Sequence, residues 1–308
     1  MNALALKPGS RDTAGAVGSN RFSGIILIAP FLLCFLVFTL YPLLSAGKLA
    51  TEQTFGPGTT RFVGLSNFTH LLHDPLFWTA LKNTCIFTVL SVLVQMPLAL
   101  GLALLLNRPN LRGRALMRLA LFSPVLVGVV FTAMMFALLL EKRTGLINIA
   151  LHSAFGWNLD FAWFEQGIMA SLVIATAWQF TGFNMVYFLA ALQSVPEELK
   201  QAALLDGAGR RSTFRHVTWP AIRPVATFVI LLCVIGNMQV FELPFILLNG
   251  TTGPDNKGLT LVTYLYQAGF QTGDLGYASA IGWMLALILG GFSIAQRLVA
   301  DRNPGGAR

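Results

Sequence analysis

Residues 195–220 read VPEELKQAALLDGAGRRSTFRHVTWP, a polar and charged stretch between two long apolar segments. Pro196 suits the first turn of a helix, and the two acids that follow it favour the positive helix end. Gly207 can end or bend that helix. We expect a second short helix to follow and to end at Pro220, with apolar residues on one side. The sequence therefore predicts a helix-bend-helix shaped to dock on another surface.

The rest of the chain is dominated by apolar segments. Hydrophobic residues make up 55% of the 308 residues and charged residues 11%, whereas soluble domains carry about 25% charged residues. Six segments are long enough to cross about 30 Å of hydrocarbon: residues 24–44, 83–106, 119–140, 168–192, 225–248 and 277–296. This pattern predicts an all-α polytopic membrane protein. It would have a flexible tail over 1–23, a transmembrane domain over 24–300 and a short tail over 301–308.

Lysine and arginine are unevenly distributed between the two sides of the predicted membrane domain. With the N-terminus inside, 15 lie on the cytoplasmic side and 5 on the other. Because basic residues are retained in the cytoplasm, both termini and the 196–220 loop are expected there. The net charge of +8 follows from the same rule. The sequence has no basic stripe with interleaved aromatic residues, so nucleic acid is not indicated as a partner.

The sequence motifs of common catalytic sites are absent. There is no Gly-x-x-x-x-Gly-Lys-Ser/Thr loop for nucleotide phosphates, no His-Glu-x-x-His helix for zinc and no Gly-x-Ser-x-Gly elbow for a nucleophile. These absences argue against an enzyme that acts on lipid or glycan within the membrane. We expect this chain to bind neither a cofactor nor a metal.

Glu242 is the only Asp, Glu, Lys, Arg or His within the six predicted spans. A carboxylate at bilayer depth costs about 2.5–3.5 kcal/mol on insertion scales, so such a residue is a candidate functional group. An ion-coupled secondary transporter of a small polar solute is the alternative function. That class normally needs a relay of several ionisable groups, and one carboxylate is weak support for it.

Neutral amides and aromatic rings are the other candidates for a solute pathway. Amides both donate and accept hydrogen bonds, as sugar hydroxyls do, and aromatic faces match the apolar faces of sugar rings. The candidates besides Glu242 are Asn237, Gln239, Gln179, Asn184, Tyr187 and Trp283. Asn237, beside Gly236, is the first choice. In the alternative interpretation, these amides join helices across the bundle.

The 196–220 loop resembles the cytoplasmic coupling loop of the membrane subunits of binding-protein-dependent ABC importers. The family pattern is Glu-Ala-Ala, three residues, Gly, nine residues and Ile-x-Leu-Pro. The spacing is intact here, with Gln201 in place of the usual Glu and with Val217 and Trp219 in place of Ile and Leu. By this resemblance, the residues that couple to the ATPase are Glu198, Gln201, Ala202, Ala203, Asp206, Gly207, Ala208, Phe214 and Pro220.

Further segments are similar to the carbohydrate-uptake, maltose-type branch of these permeases, and to the first-type half of a two-permease importer. They are residues 29–30 (AP), 41–42 (YP), 62–68 (FVGLSNF), 105–108 (LLNR), 112–114 (RGR), 145–148 (GLIN) and 274–280 (DLGYASA). Asp274 to Ala280 is the last of them along the chain.

The resemblance implies a multi-pass subunit of a bacterial inner membrane that forms half of a heterodimeric pore. It implies these partners: a second permease, two ATPase subunits that use ATP and Mg²⁺, an extracytoplasmic solute-binding protein and the lipid bilayer. The expected solute is a carbohydrate or related polyol, with glycerophosphodiesters as a further class.

Overall fold

The computed structural model describes residues 21–54, 60–108, 111–156 and 161–301. The chain divides into two compact units, Met1–Lys48 and Leu49–Arg308. In the first unit, a π-helical turn joins helices α1 (Arg21–Phe35) and α2 (Tyr41–Leu49). The segment Leu27–Leu49 is long and apolar enough to cross a membrane.

The described part of the larger unit is helical apart from one small ribbon. In that ribbon, β1 (Glu52–Thr54) pairs antiparallel with β2 (Thr60–Phe62), and Gln53 lies opposite Arg61. The helices are α3 (Ser66–His73), α4 (Pro75–Leu106), α5 (Arg114–Leu126), α6 (Val129–Leu139), α7 (Leu146–Phe155), α8 (Ile168–Gln193), α9 (Glu197–Leu205), α10 (Arg210–Thr213), α11 (Trp219–Met238), α12 (Glu242–Leu247), α13 (Leu261–Tyr266) and α14 (Leu275–Asp301).

Five helical segments among the described residues could span a membrane, and a sixth span is formed if α5 and α6 are taken together. Besides Leu27–Leu49, they are α4, α8, Arg210–Met238 and Leu275–Leu298. The fold is therefore a polytopic helical membrane protein, as the hydropathy predicts.

The third span, expected over 119–140, is divided into two helices. Helices α5 and α6 meet at an angle of 96°, because Val127 and Gly128 adopt extended backbone conformations between them. The break leaves carbonyl oxygens of α5 without helical partners. The side chain of Gln179 in α8 donates to two carbonyl oxygens at the break. One is that of Pro124 in α5, which also accepts from the backbone N–H of Val127 at 3.2 Å, and the other is that of Val127 just after α5.

The fifth span also differs from the expected segment 225–248. One helix runs from Arg210 to Met238, so Pro220 does not end a separate short helix. A π-helical turn absorbs the change, and within it Trp219 donates to the carbonyl oxygen of Phe214. The helix ends at Met238, and α12 begins only at Glu242.

Helix α8 lies at the centre of the larger unit. It packs against α4, α5, α6 and α11, and side chains on most of its circumference are buried. Its contact with α5 is especially close at Gly182, where an added Cβ would lie 1.8 Å from the carbonyl oxygen of Leu121. Only glycine allows the two backbones to approach to this distance.

Polar side chains from the family-like segments fix the loops at one end of this unit. Asn67 donates to the carbonyl oxygens of Ala50 and Glu52, each at 2.9 Å. Thr54 accepts a hydrogen bond from the backbone N–H of Gly276 at 3.2 Å. The ribbon and α3 are thereby tied to the beginning of α14.

Candidate functional site

A cavity of about 240 Å³ lies within the larger unit, between α4, α8, α11 and the beginning of α12. Phe180, Phe183 and several aliphatic side chains form its apolar wall. Its polar lining consists of Gln95, Thr176, Gln179, Asn184, Cys233, Asn237, Gln239 and Glu242. The cavity therefore brings together five of the seven side chains selected from the sequence.

The other two candidates lie elsewhere. Tyr187 packs between Phe183 and Phe228, with ring centroids 5.1 and 6.2 Å away. Trp283 is a partly buried residue of α14 and does not line the cavity. The aromatic wall of the cavity is formed instead by Phe180 and Phe183.

A chain of hydrogen bonds crosses three helices at the cavity. Asn237 Nδ2 donates to Cys233 Sγ at 3.3 Å within α11. Cys233 Sγ donates to Gln95 Oε1 of α4 at 3.7 Å. Asn184 Nδ2 of α8 donates to the same Gln95 oxygen at 3.1 Å. Asn184 and Cys233 therefore join their helices to α4 through Gln95, whereas the bond of Asn237 lies within α11, and all four side chains line the cavity.

Gln179 links the cavity to the break in the third span. Its Nε2 donates to the carbonyl oxygens of Pro124 at 3.1 Å and Val127 at 2.7 Å. Its Oε1 is buried and has no partner among the described residues. The oxygen end of this amide is thus free for a ligand, and the nitrogen end is not.

Glu242 and Gln239 stand at the second helix break. Gln239 follows the last residue of α11, and Glu242 is in the first turn of α12. A carboxylate in that position is favoured by the positive helix end. Both side chains are exposed to the cavity rather than enclosed by protein. Glu242 therefore lies beyond the end of α11, at the first residue of α12, and not inside one continuous helical span.

Sequence reasoning missed three polar residues of the lining, Gln95, Thr176 and Cys233. Gln95 lies in the middle of the predicted span 83–106, so the criterion that selected Gln179 could have found it. Thr176 has a buried hydroxyl without a partner among the described residues. A threonine in an apolar helix gives little signal, since its hydroxyl usually bonds to its own helix.

The 196–220 loop has the predicted first helix, and the structure explains its spacing. Ala208 N–H donates to the carbonyl oxygen of Ala203 at 2.9 Å, and Gly207 N–H donates to that of Leu204 at 3.1 Å. Together they form a Schellman motif, which needs a residue with positive φ at its turn. Gly207 supplies it with φ of 77°. The Ala-Ala and Gly positions of the family pattern thus belong to one Schellman motif that ends α9.

The loop exposes apolar side chains that a free surface would not favour. Leu199, Leu204 and Leu205 of α9 are 52, 58 and 89% exposed. Glu198, Gln201, Ala202, Asp206 and Pro196 are exposed as well, whereas Ala203, Ala208, Phe214 and Pro220 are partly buried. A short helix with an exposed apolar face and acids in its first turn has the character of a docking surface.

A second, more polar cavity of about 870 Å³ lies between α3, the beginning of α4, α13 and α14. Beside it, Tyr264 and Tyr277 both donate to the carboxylate of Asp74, Tyr277 at 2.6 Å. Burial raises the pKa of Asp74, but these bonds, the Leu76 N–H and nearby His70 outweigh it, so the pKa lies below its usual value. The described residues contain no group of three His, Cys, Asp or Glu side chains that could hold a metal.

The sequence of the chain matches a known protein family. The family described as binding-protein-dependent transport system inner membrane component matches residues 95–303. The chain belongs to this family. The matched region includes both the cavity and the 196–220 loop.

Relatives within the family align over nearly the whole chain. The arabinooligosaccharides transport system permease protein AraP of Halalkalibacterium halodurans is 38% identical over 90% of this chain and 87% of its own length. The lactose transport system permease protein LacF of Rhizobium radiobacter is 33% identical over 89% and 92%. The trehalose/maltose transport system permease protein MalF of Thermococcus litoralis is 32% identical over 88% and 91%.

A solved structure has the same fold as this family member. It is a chain of a bacterial alginate ABC transporter in complex with an alginate pentasaccharide-bound periplasmic protein, with a TM-score of 0.81. The two chains are 23% identical, and the match covers 93% of this chain and 96% of the other. The protein is thus a multi-pass inner membrane component with the importer permease fold.

Proposed function

We propose that the chain is one permease subunit of an ATP-driven, binding-protein-dependent importer, and that its solute is a neutral carbohydrate or polyol. The observation that carries the proposal is the central cavity, whose polar lining consists of five amides, one hydroxyl, one thiol and one carboxyl group. The names of the relatives, which refer to arabinooligosaccharides, lactose and trehalose or maltose, support the same solute class. Several related sugars fit such a lining.

The size of the cavity supports a pathway shared by two permeases. Pockets for small molecules usually measure about 300–1,000 Å³, and this cavity measures about 240 Å³. A second permease facing it would complete a site for a di- or trisaccharide. Glycerophosphodiesters are less favoured, because Glu242 is the only acidic side chain of the lining and no basic side chain is present there to pair with a phosphate.

We assign ATP hydrolysis to partner subunits that seat on the 196–220 loop. The exposed leucines of α9 would fill an apolar groove, and the acids of its first turn would face basic residues. In this arrangement the chain itself binds no cofactor, and ATP with Mg²⁺ stays in the two ATPase subunits. The loop and both termini face the cytoplasm, and the 870 Å³ cavity faces the solute-binding protein.

The deciding experiment is uptake by the reconstituted complex. The chain would be incorporated into proteoliposomes with its cognate permease, ATPase and binding protein, and arabinotriose, lactose and trehalose would be offered as radiolabelled solutes. We expect uptake of at least one sugar that needs internal ATP and the binding protein, and that continues when ionophores remove proton and sodium gradients.

Two results would contradict the proposal. Uptake that follows an ion gradient without ATP would favour the secondary transporter. Binding of all three sugars to the binding protein without any uptake would contradict a carbohydrate as the transported solute. Omitting the second permease is the matched control, since half a pathway should transport nothing.

A further inference from the structure

Gln95 presents one end of its amide to the central cavity. The side chain is 1% exposed, and its Oε1 already accepts from Asn184 and Cys233. Its Nε2 is buried and has no hydrogen-bond partner in the part of the chain that the structure describes. A buried donor without a partner is costly, so an occupant of the cavity that accepts from it would gain affinity.

Gln179 presents the opposite end of its amide. It is 3% exposed, and its Nε2 lies between the carbonyl oxygens of Pro124 and Val127. Carbonyl oxygens only accept, so the nitrogen must face them and the amide cannot turn round. The Oε1, which lacks a partner within the described residues, is left as an acceptor.

We propose that the cavity recognises its solute through a donor, Nε2 of Gln95, and a fixed acceptor, Oε1 of Gln179, and that Gln95 is a specificity-determining residue. This rests on the proposed function and specifies the chemistry of the solute. A hydroxyl group both donates and accepts, so one polyol can satisfy both amides. An ionised carboxylate or phosphate only accepts, and an ammonium only donates, so neither satisfies both.

The remaining polar groups fit this arrangement. Thr176 Oγ1 is buried without a partner among the described side chains and backbone groups, and it can take either role. Gln239 is exposed, so its amide can rotate to suit the solute. Gln95 and Gln179 determine which hydroxyl positions of the solute are accepted. Thr176 and Gln239 complete the contacts.

The test compares Gln95→Met with a matched control in the reconstituted complex. Methionine keeps the length of the side chain and removes its hydrogen bonds. Gln296 is the control, because its Nε2 donates to the carbonyl oxygen of Thr227 at 2.6 Å and its Oε1 is buried without a described partner, yet it does not line the cavity. The readouts are sugar imported per ATP hydrolysed and the thermal unfolding midpoint.

We expect Gln95→Met to lower the sugar imported per ATP by about 2- to 12-fold, the range for one lost neutral hydrogen bond, while the loaded binding protein still stimulates ATP hydrolysis. Gln296→Met should leave this ratio unchanged. Gln179→Met should lower both the ratio and the unfolding midpoint, because the bend in the third span loses its partner. The probe is whichever of arabinotriose, lactose and trehalose the wild type imports.

A monodeoxy series of the imported sugar gives the sharper readout. The analogue that lacks the hydroxyl bound by Gln95 should be imported equally by the wild type and Gln95→Met, whereas the other analogues should still distinguish them. An unchanged ratio in Gln95→Met, or an equal loss in Gln296→Met, would overturn the inference while wild-type uptake still supports the importer.

If the Gln95→Met variant fails to assemble, the reactivity of the Cys233 thiol tests whether the solute occupies the cavity. In a chain with Cys34→Ser and Cys85→Ser, Cys233 is the only thiol left of three. Its reaction with a small thiosulfonate should slow when the imported sugar is present during turnover, because Cys233 lines the cavity and bonds to Gln95. Equal rates with and without sugar would place the solute elsewhere and overturn the proposal.

Discussion

Gly182 of α8 lies against the backbone of Leu121 in α5, so that a Cβ at position 182 would come within 1.8 Å of the Leu121 carbonyl oxygen. Gly182→Ala should therefore push the two helices apart and weaken the hydrogen bonds of nearby Gln179. We expect a loss of about 1–3 kcal/mol or more in stability, seen as a lower unfolding midpoint in detergent. Gly101→Ala is the control, because no atom lies within 4 Å of an added Cβ there. Equal midpoints for the two variants would contradict the close helix contact.

Gly207 ends α9 with φ of 77°, whereas Gly209, two residues later, has φ of −72°. Gly207→Ala should cost about 1–2 kcal/mol, the strain of a left-handed conformation with a Cβ, and should disorder the Schellman motif. Recovery of the ATPase in copurification and sugar uptake should both fall, while membrane insertion stays normal. Gly209→Ala should behave as the wild type. A Gly207→Ala variant with full ATPase recovery and uptake would show that the loop is only a linker.

Asp74 should make stability depend on pH. Its pKa is lowered in the folded protein, so its hydrogen bonds stabilise the fold fully above the ordinary value of about 3.9 and lose that effect as pH falls through the lower folded value. Asp74→Asn should therefore unfold at a lower temperature than the wild type at pH 7, and the difference should shrink at pH values below about 4. A difference that is constant from pH 7 to pH 3 would mean that the carboxylate charge is irrelevant.

Asn237 should affect transport more than ATP hydrolysis. Asn237→Ala removes one neutral hydrogen-bonding side chain, so uptake should fall about 2- to 12-fold, equivalent to roughly 0.5–1.5 kcal/mol, with the loaded binding protein still stimulating ATPase activity. Glu242→Gln should have a smaller effect, because a neutral solute does not need the charge. If Asn237→Ala lowers the unfolding midpoint while uptake per folded complex is unchanged, the role of Asn237 is structural only.

Single cysteines at positions 210 and 256 test the orientation of the chain. In a background without Cys34, Cys85 and Cys233, a cysteine at position 210 should react with impermeant maleimide only from the cytoplasmic side, and one at position 256 only from outside. The measurement is gel-shift labelling of intact cells and inverted vesicles. The reverse pattern would place the 196–220 loop outside and remove its docking role.

Local signals in the sequence were sufficient to predict which segments are mainly helical and where α9 ends. Pro196, the two acids and Gly207 act within one or two turns, so their effect does not depend on the rest of the fold. Pro124 and Gly128 allow a kink in the third span, but the sequence does not give the angle of the break at 127–128. The break at 239–241 was not predicted, because the predicted span 225–248 continues across it. Each break depends on a partner from elsewhere in the chain: Gln179 for the first, and Thr260, which donates to the carbonyl oxygen of Val240, for the second.

The sequence selects candidate site residues by their type, without the direction of their side chains. Five of the selected side chains meet at one cavity, since polar groups in apolar helices turn away from lipid. Tyr187 was selected for its ring, but the packing of α8 against α11 directs that ring toward Phe228. Which end of Gln95 or Gln179 faces the cavity depends on contacts across helices, and no single-helix pattern contains that information.

The helix from Arg210 to Met238 is 29 residues long, or about 43 Å at about 1.5 Å per residue. It begins in the loop proposed to receive the ATPase and ends beside Asn237 at the cavity. Influence along such a shared element is reciprocal: if a seated ATPase changes the affinity of the cavity for sugar by some factor, bound sugar changes the affinity of the loop for the ATPase by the same factor. The permease without sugar and the permease with bound sugar would then bind their ATPases with different affinity. The transporter would exist in two populations that differ both in bound sugar and in ATPase affinity.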